Sequence, residues 1–253
     1  MKKLFFSILI LTVSCLAVSV PAATTLSSSD ADQAQQQEFL RAVGKGDVQR
    51  VTEMLRTAPS LVSVADARGN TAVMLALYTG HRDVAQVIAS QRRQFNLFEA
   101  AALGNAEQVE KLLKASPQKI NDYSLDGFTA LHLAAYFGQT ATLRELVAAG
   151  ADLNLYSHNG LHASPLQSAA AARQLESVRI LLEAGADVNC HGELDYTPLH
   201  EAAGSGQVQL IALLLAHGAD ANAKGTDGKT PLSIAIEEKQ PAAADLLRQK
   251  GAQ

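Results

Sequence analysis

The stretch Asp126-Gly127-Phe128-Thr129-Ala130-Leu131-His132-Leu133-Ala134-Ala135-Tyr136-Phe137-Gly138 recurs along the chain in shortened forms. The variants are Ser164-Pro165-Leu166-Gln167, Thr197-Pro198-Leu199-His200-Glu201-Ala202-Ala203 and Thr230-Pro231-Leu232-Ser233-Ile234-Ala235. Counted from Thr129, the first residues of these forms are separated by 35, 33 and 33 positions. A fixed period near 33 residues is typical of a repeat protein, in which each unit packs only against its neighbours.

Each repeat contains two stretches with helical periodicity. In the first, apolar or small residues stand two, five and six places after the Thr-equivalent residue, as in Leu131, Ala134 and Ala135. In the second they stand fourteen and seventeen places after it, as in Leu143 and Leu146. Spacings of three and four place such residues on one face of a helix. The pattern fits seven times between residues 34 and 253 and predicts an all-α fold of stacked helix pairs.

The residues around these helices are those that start and end helices. Thr197 and Thr230 can cap a helix through their hydroxyls, and Pro198 and Pro231 follow at the first helical position, where the missing N–H is harmless. Glycines follow the helices at places where a left-handed residue is favoured; they are Gly80, Gly104, Gly138, Gly150, Gly185, Gly206 and Gly218.

The motif T-P-L-H-x-A at a period of 33 is the signature of ankyrin repeats, so the chain resembles the ankyrin-repeat family. The resemblance implies an ankyrin-repeat solenoid, in which helix-turn-helix units are joined by β-hairpin-like fingers. We expect about seven units, of which the first is an N-terminal cap and the last a C-terminal cap. Their predicted bounds are 34–65, 66–93, 94–121, 122–154, 155–189, 190–222 and 223–253.

Some units depart from the pattern. The third unit has no room for a finger, and Asn96 with Glu99 is predicted to form a replacement capping box there. The fifth unit carries two extra residues, so its finger should protrude. Arg173 replaces a turn glycine, and Asp195 replaces a finger glycine.

The resemblance also assigns roles to the repeated polar residues. In ankyrin proteins the histidine of the motif ties the Thr hydroxyl to an adjacent loop, so His132 and His200 are interpreted as structural rather than catalytic. The complete structural set is Thr129, His132, Thr197, Pro198, His200, Thr230 and Pro231. The sequence contains no phosphate-binding, dinucleotide-binding or hydrolase motif, and we predict a protein that is not an enzyme and needs no cofactor.

Partners of ankyrin proteins usually meet the fingers and the inner helices. Carried onto this chain, those positions predict an apolar and aromatic partner-binding cluster in units four to six. Its residues are Leu125, Phe128, Tyr136, Phe137, Leu161, Leu194 and Tyr196. Exposed aromatic residues are enriched at interface hot spots, so the cluster predicts a non-catalytic scaffold for protein–protein interaction.

The N-terminus resembles a secretory signal peptide. Lys2 and Lys3 precede an apolar run, and Val20-Pro21-Ala22 offers a cleavage site, so residues 1–22 are predicted to be removed. Residues 23–33 are rich in Ser and Thr and are predicted to form a flexible tether. We therefore expect a periplasmic protein. The alternatives are an uncleaved membrane anchor and, with less support, a lipoprotein modified at Cys15.

Charge limits the class of partner. Without the two N-terminal lysines the chain holds 19 basic and 25 acidic residues, a formal charge of −6. Nucleic-acid binding requires clustered Lys and Arg, so a nucleic-acid partner is not expected. We expect a monomer whose partner is another protein. The chain looks like the small secreted ankyrin proteins of Gram-negative bacteria, and that resemblance implies a periplasmic enzyme that the protein supports; the alternative is a toxin that it inhibits as an immunity protein.

A different hypothesis is a metal- or ligand-binding module at fingers five and six. Imidazole and thiolate groups are metal ligands, and His158, His162, Cys190, His191 and Glu193 lie in these fingers. The favoured interpretation is nevertheless solvated loop residues with no metal. Cys190 is interpreted as a small buried residue at a repeat junction, with an intermolecular disulfide or a thiol nucleophile as weaker alternatives.

Overall fold

The computed structural model describes residues 28–252, and within that range it contains fourteen α-helices and three short 3₁₀ segments. Strand structure in this part of the chain is limited to isolated bridges, Ala65 with Thr71 and Tyr123 with Thr129. The predicted all-α class is therefore confirmed. The predicted signal peptide and residues 23–27 of the predicted tether lie outside the described residues.

The chain divides into two compact units between Gln94 and Phe95. This boundary coincides with the third repeat, for which the sequence predicts no finger. Over residues 28–94 the first unit contains four helices, and α1 begins before the predicted position 34. Residues 28–33, assigned to the tether, are thus helical; this stretch contains neither Pro nor Gly, so its backbone does not oppose extension of the helix. The helices are α1 (Ser28–Lys45), α2 (Val48–Thr57), α3 (Ala72–Tyr78) and α4 (Arg82–Ser90).

The second unit contains ten helices in alternating inner and outer positions. The inner helices are α5 (Leu97–Leu103), α7 (Ala130–Tyr136), α9 (Pro165–Ala171), α11 (Pro198–Gly204) and α13 (Pro231–Glu237). The outer helices are α6 (Ala106–Ala115), α8 (Thr140–Ala148), α10 (Leu175–Glu183), α12 (Val208–Ala216) and α14 (Pro241–Gln249). The 3₁₀ segments of the chain are Pro59–Ser63, Pro117–Asn121 and Glu193–Asp195.

The core of the second unit is built from leucine and alanine. Ala134, Ala135, Ala169 and Ala170 are completely buried, as are Leu143 and Leu146 of the outer stripe of repeat four. Helix α7 packs against α5 and α9, and α11 packs against α9 and α13. Because alanine is small, neighbouring inner helices approach closely, while the larger leucines fill the space towards the outer helices.

Hydroxyl caps form at three of the inner helices, whereas at α11 the His200 N–H donates to the Thr197 carbonyl at 2.9 Å. The hydroxyls of Thr129, Ser164 and Thr230 accept N–H groups three residues further on. At α5 the side chain of Asn96 accepts the Glu99 N–H at 2.8 Å, and the Glu99 carboxylate accepts the Asn96 N–H at 3.1 Å. The replacement capping box of the third repeat is therefore present, with two orphan donors satisfied.

A glutamine ladder, which the sequence analysis did not recognise, joins successive repeats. Gln139, Gln207 and Gln240 each precede an outer helix and donate a side-chain N–H to a carbonyl of the preceding repeat. The accepting carbonyls belong to Ala102, Ala170 and Gly204, at 2.9, 3.2 and 3.4 Å. Each bond ties a carbonyl near the end of an inner helix to the following repeat.

The residues that replace glycine keep the left-handed backbone. Arg173 has a φ of 59°, Asp195 a φ of 57°, and Leu194 beside it a φ of 59°. A left-handed conformation costs an L-residue about 1–2 kcal/mol. The turn in repeat five and the finger in repeat six therefore hold their shape at some cost in stability.

Substitution of Gly127 by alanine is expected to destabilise the second unit by about 2 kcal/mol or more, because a left-handed backbone conformation and a steric clash are both unfavourable for alanine. Gly127 has a φ of 81°, and a Cβ there would lie 2.7 Å from the backbone carbonyl carbon of His158. Gly150→Ala is the matched control, since Gly150 has a φ of 87° but a Cβ at that position would meet no atom within 4 Å. Urea denaturation should show a larger loss for Gly127→Ala; equal losses would contradict the proposed contact with finger five.

Candidate protein-binding face

The fingers of the second unit are joined to one another by hydrogen bonds. We number them after their repeats: finger four is residues 122–128, finger five 155–163, finger six 190–196 and finger seven 223–229. Between fingers four and five, the His158 N–H donates to the Gly127 carbonyl at 2.8 Å. The side-chain amide of Asn159 donates to the Asp126 carbonyl, also at 2.8 Å.

The same side-by-side arrangement continues along the unit. Between fingers five and six, the His191 N–H donates to the Tyr156 hydroxyl at 3.2 Å. Between fingers six and seven, the Thr226 N–H donates to the Leu194 carbonyl at 2.9 Å. Fingers four to seven therefore form one connected edge, and side chains at their tips are held in fixed relative positions.

Exposed leucines lie on this edge, which we call the finger face. Leu125 in finger four is 86% exposed, and Leu194 in finger six is 43% exposed. Leu161 in finger five is partly exposed. Since leucine is among the residues most often buried in proteins, its presence at the tips of successive fingers is a feature of the face rather than of the core.

Two of the predicted partner-binding residues are buried, and this part of the prediction is corrected. Phe128 is 8% exposed, and its ring lies against that of His132, with the centroids 5.9 Å apart. Phe137 is 5% exposed, and its ring meets the Tyr136 ring edge to face at 5.1 Å. Both phenylalanines therefore pack within the repeat, and they offer little surface to a partner.

The two tyrosines of the predicted cluster are partly exposed. Burial raises the pKa of Tyr136. Burial and then the hydrogen bond to Asp227 raise the pKa of Tyr196 to about 12. The Tyr196 hydroxyl donates to Asp227 at 2.9 Å, and its ring stacks on that of His200 with the centroids 4.9 Å apart. The orientation of Tyr196 is thus fixed between fingers six and seven.

The motif histidines join each inner helix to the next finger. His132 is fully buried; its Nδ1 lies 2.8 Å from the Thr129 hydroxyl and accepts the Thr129 N–H at 3.3 Å. Its Nε2–H donates to the Ala163 carbonyl, 31 residues away, at 2.9 Å. Burial lowers the pKa of His132 to about 4. The ring is therefore neutral at pH 7, with both nitrogens engaged.

His200 repeats this geometry one finger further on. Its Nδ1 accepts the Thr197 N–H at 3.0 Å, and its Nε2 lies 3.2 Å from the Lys229 carbonyl. Burial lowers the pKa of His200 as well. Pro198 and Pro231 occupy the first positions of α11 and α13, as the motif predicts. These contacts are structural in character and leave no imidazole nitrogen of either ring free for catalysis.

Cys190 is buried, with its Sγ 3.1 Å from the Ser164 hydroxyl. Burial raises the pKa of this thiol to about 12. The thiolate, which is the nucleophile and metal ligand, is therefore not populated at neutral pH. The geometry agrees with a small buried residue at the junction of repeats five and six.

The two histidines of finger five stack on different tyrosines. The His158 ring stacks on Tyr123 at 3.6 Å between centroids, and the His162 ring stacks on Tyr156 at 4.4 Å. Across the portion of the chain that the structure describes, no three His, Cys, Asp or Glu side chains come together as metal ligands would. The alternative metal or ligand module thus has no assembled site in these fingers.

The structure also identifies Glu201, which the sequence analysis did not assign to any site. Its side chain is partly exposed, but its carboxyl oxygen Oε2 is buried and has no hydrogen-bond partner. Burial raises the pKa of Glu201 to about 8. A carboxyl on an inner helix that is largely protonated at neutral pH is unusual, and groups with such shifted pKa values cluster at functional sites.

Comparison with known proteins agrees with this architecture. A family model for ankyrin repeats in three copies matches residues 97–192 and 186–253. A curated relative, ankyrin repeat and SAM domain-containing protein 6 of Rattus norvegicus, is 32% identical over 129 residues, which are 47% of this chain and 14% of that protein. A putative ankyrin repeat protein of Escherichia coli strain K12 is 35% identical over 91 residues, 36% of this chain and 44% of that protein.

An enzyme also shares the repeat region: the L-asparaginase of Dirofilaria immitis is 30% identical over 156 residues, 58% of this chain and 26% of the enzyme. The chain spans less than half the length of each of these relatives. None of the helices in the described range is long and apolar enough to cross a membrane. The repeat period, the inner-helix caps and the matched family model together place this chain in the ankyrin-repeat family.

Proposed function

We propose that the protein is a non-catalytic scaffold that binds one partner protein through the finger face of its second unit. Ankyrin repeats generally mediate protein–protein interaction, and the exposed Leu125 and Leu194 on hydrogen-bonded fingers support this use of the face. Apolar side chains at the centre of an interface contribute more to affinity than the polar rim. Leu161, Tyr136 and Tyr196 complete the binding residues. Phe128 and Phe137 support them from within the repeat.

The fingers are suited to binding because they are already ordered. Association is weakened when loops must lose conformational freedom, and a loop held in place before binding avoids that loss. The bonds from finger four to finger five and from finger six to finger seven provide this preorganisation. A rigid apolar edge can therefore bind a matching surface without refolding.

The chemistry of the face favours binding over catalysis. The rings of His132 and His200 are engaged by backbone groups, and Cys190 is a protonated thiol. The L-asparaginase of Dirofilaria immitis aligns with this chain over only 26% of its own length. A reaction at the finger face would need a general base or a nucleophile that these residues do not supply.

Export to the periplasm is part of this proposal. It rests on the predicted signal peptide, residues 1–22. In that compartment the partner is a periplasmic enzyme that the scaffold supports, with a toxin that it inhibits as the second candidate. The two differ in outcome: loss of an enzyme partner's binding lowers that enzyme's stability, whereas loss of toxin binding restores toxicity.

Replacement of both Leu125 and Leu194 by serine is expected to reduce partner binding at least about tenfold, because two apolar contacts at the interface are lost. The measurement is photo-crosslinking from an unnatural benzophenone residue at position 161, followed by quantification of the crosslinked partner. Since both leucines are exposed, serine should leave the thermal stability of the protein nearly unchanged.

Val208→Ser is the matched control. Val208 is 38% exposed, a fraction similar to that of Leu194, but it lies at the start of the outer helix α12 and not on a finger. This variant should crosslink like the wild type. If the double leucine variant crosslinks as well as the wild type, the finger face is not the binding surface.

A further inference from the structure

Glu201 departs from the repeat pattern at a buried position. It lies on the inner helix α11, four places after Thr197. The residues four places after Thr129, Ser164 and Thr230 are Leu133, Ser168 and Ile234. In repeat three the equivalent residue is Glu99, and its carboxylate accepts the Asn96 N–H in the capping box of α5. Glu201 has no such role, because His200 occupies the capping-box place in α11, so its carboxyl is not required by the fold.

The carboxyl of Glu201 has no partner within the described chain. Its Oε2 is buried and makes no hydrogen bond. A cation does reach this part of the inner wall, but not the carboxyl: Arg173 Nη2 lies 3.3 Å from the Ser205 carbonyl, one helical turn further along. The described part of the chain therefore provides no hydrogen-bond donor for this carboxyl oxygen.

Stability does not explain this residue. A buried carboxyl without a hydrogen-bond donor is unfavourable in its ionised and in its neutral form. A leucine, as at position 133, would remove that cost. Residues that oppose the local pattern without a compensating contact tend to occur at functional sites, where stability is given up for binding or chemistry.

The residues at the ends of the inner helices near Glu201 are small. Ala171 and Ala172 end the inner helix of repeat five, and Gly204 and Ser205 end that of repeat six. All four are small and partly exposed. They stand at the places that Tyr136 and Phe137 occupy in repeat four, and a Cβ at Gly204 would lie 3.0 Å from Ile234 Cγ2.

The charges of the finger face indicate the sign of the charge on the partner's surface. Fingers four to seven contain Asp122, Asp126, Glu193, Asp195 and Asp227 but only two cations, Lys224 and Lys229. Lys229 is engaged by the Glu237 carboxylate at 2.6 Å. An acidic face of this kind favours a basic partner surface.

We propose that Glu201 pairs with a lysine or arginine side chain of the partner protein, which approaches the inner helix α11. This inference rests on the proposed function, because it assigns the chemistry of the partner that the finger face holds. A charge-assisted hydrogen bond to a carboxylate is about twice as strong as a neutral one, and a cation would satisfy the carboxyl that is now without a donor. Glu201 then binds a basic residue of the partner, while the finger leucines contact an apolar residue of the partner.

The test uses a phage-displayed library of random 12-residue peptides, selected in parallel against the full-length protein and its Glu201→Gln variant. Peptides selected on the wild type should share one lysine or arginine next to an apolar residue. Their affinity should fall at least about tenfold on Glu201→Gln, since a partly buried cation would lose its counter-charge. Glu193→Gln removes a finger carboxylate on the same face and should change the affinity less than about threefold.

A second variation identifies the pair itself. Norleucine replaces the shared basic residue of a selected peptide, and the affinities of both peptides for both proteins are compared. The wild type should lose affinity for the norleucine peptide, and Glu201→Gln should not, since the two changes remove one interaction. Additive losses would show that the peptide cation binds elsewhere and would overturn the proposal.

The remaining outcomes separate the inference from the function on which it rests. Peptides that lose binding on the Leu125→Ser/Leu194→Ser protein but contain no shared basic residue overturn the Glu201 pairing and support the finger face. Peptides that bind the double leucine variant undiminished overturn the proposed binding face. A selection without any binder counts against both. Folding of Glu201→Gln is checked by its thermal unfolding, which should occur no lower than in the wild type.

Discussion

Replacement of His132 by leucine is expected to lower the free energy of unfolding by about 3 kcal/mol at pH 7.5, because buried groups lose their partners. The Thr129 N–H and the Ala163 carbonyl both bind the imidazole. Without the ring they stay buried and unsatisfied, and the link from α7 to finger five is lost. Urea denaturation followed by circular dichroism measures the change.

The same histidine should make stability depend on pH in a defined direction. Its pKa is about 4 in the folded protein, against an ordinary value of 6.5. The unfolded chain therefore binds more protons between these values, and stability is full above pH 6.5 and falls as pH approaches 4. At about 1.4 kcal/mol for each pKa unit, the total loss is about 3 kcal/mol.

His132→Leu should lack this loss of stability. The difference in free energy of unfolding between the wild type and the variant should therefore shrink from pH 7.5 towards pH 4. His217→Leu is the control, because His217 is exposed at the end of α12. Its substitution should change the free energy of unfolding by no more than about 0.5 kcal/mol. A constant difference between wild type and His132→Leu at all pH values would contradict a buried neutral imidazole.

The fold follows from the sequence because its determinants are local and repeated. The alanines five and six places after each Thr-equivalent residue are buried, and Thr129 and Ser164 cap their helices as the motif indicates. The start of α1 at Ser28 was not predicted, since polar residues 28–33 show no periodicity that distinguishes a helix from a tether.

The binding face could be predicted only in part. Leu125 lies in a turn between Ser124 and Asp126, where a side chain points away from the core, and it is exposed. Phe128 and Phe137 are assigned to the partner-binding cluster by family resemblance, but their own neighbours cover them. Whether a large ring is exposed depends on the packing of the adjacent residues and repeat, which the position within a motif does not specify.

Glu201 shows a different limit of sequence reasoning. A charged residue within Thr-Pro-Leu-His-Glu-Ala-Ala is ordinarily interpreted as a solvated side chain. Its burial depends on how the neighbouring repeats pack against it. Its lack of a donor depends on the positions of all the nearby polar groups. The signal available in the sequence was the contrast with Leu133 and Ile234 at the equivalent places.

Glu201→Gln is expected to raise the free energy of unfolding at pH 8.5 and to leave it nearly unchanged at pH 4.5. Burial raises the pKa of Glu201 from 4.5 to about 8. Between these values the folded protein binds the additional proton, so stability falls as pH rises towards 8 and stays low above it. The full shift corresponds to about 5 kcal/mol, and we expect about 2–4 kcal/mol because part of the side chain contacts solvent.

The pH dependence of the wild type alone cannot isolate this effect, because His132 and Glu201 act in opposite directions between pH 4.5 and 6.5. The measurement is therefore the difference in unfolding free energy between Glu201→Gln and the wild type at several pH values. That difference should grow from near zero at pH 4.5 to its full value at pH 8.5. Glu183→Gln, which alters an exposed carboxyl at the end of α10, should show no such growth. A flat difference for Glu201→Gln would mean that the carboxyl is solvated or already paired, and the case for a missing cation would lose its physical basis.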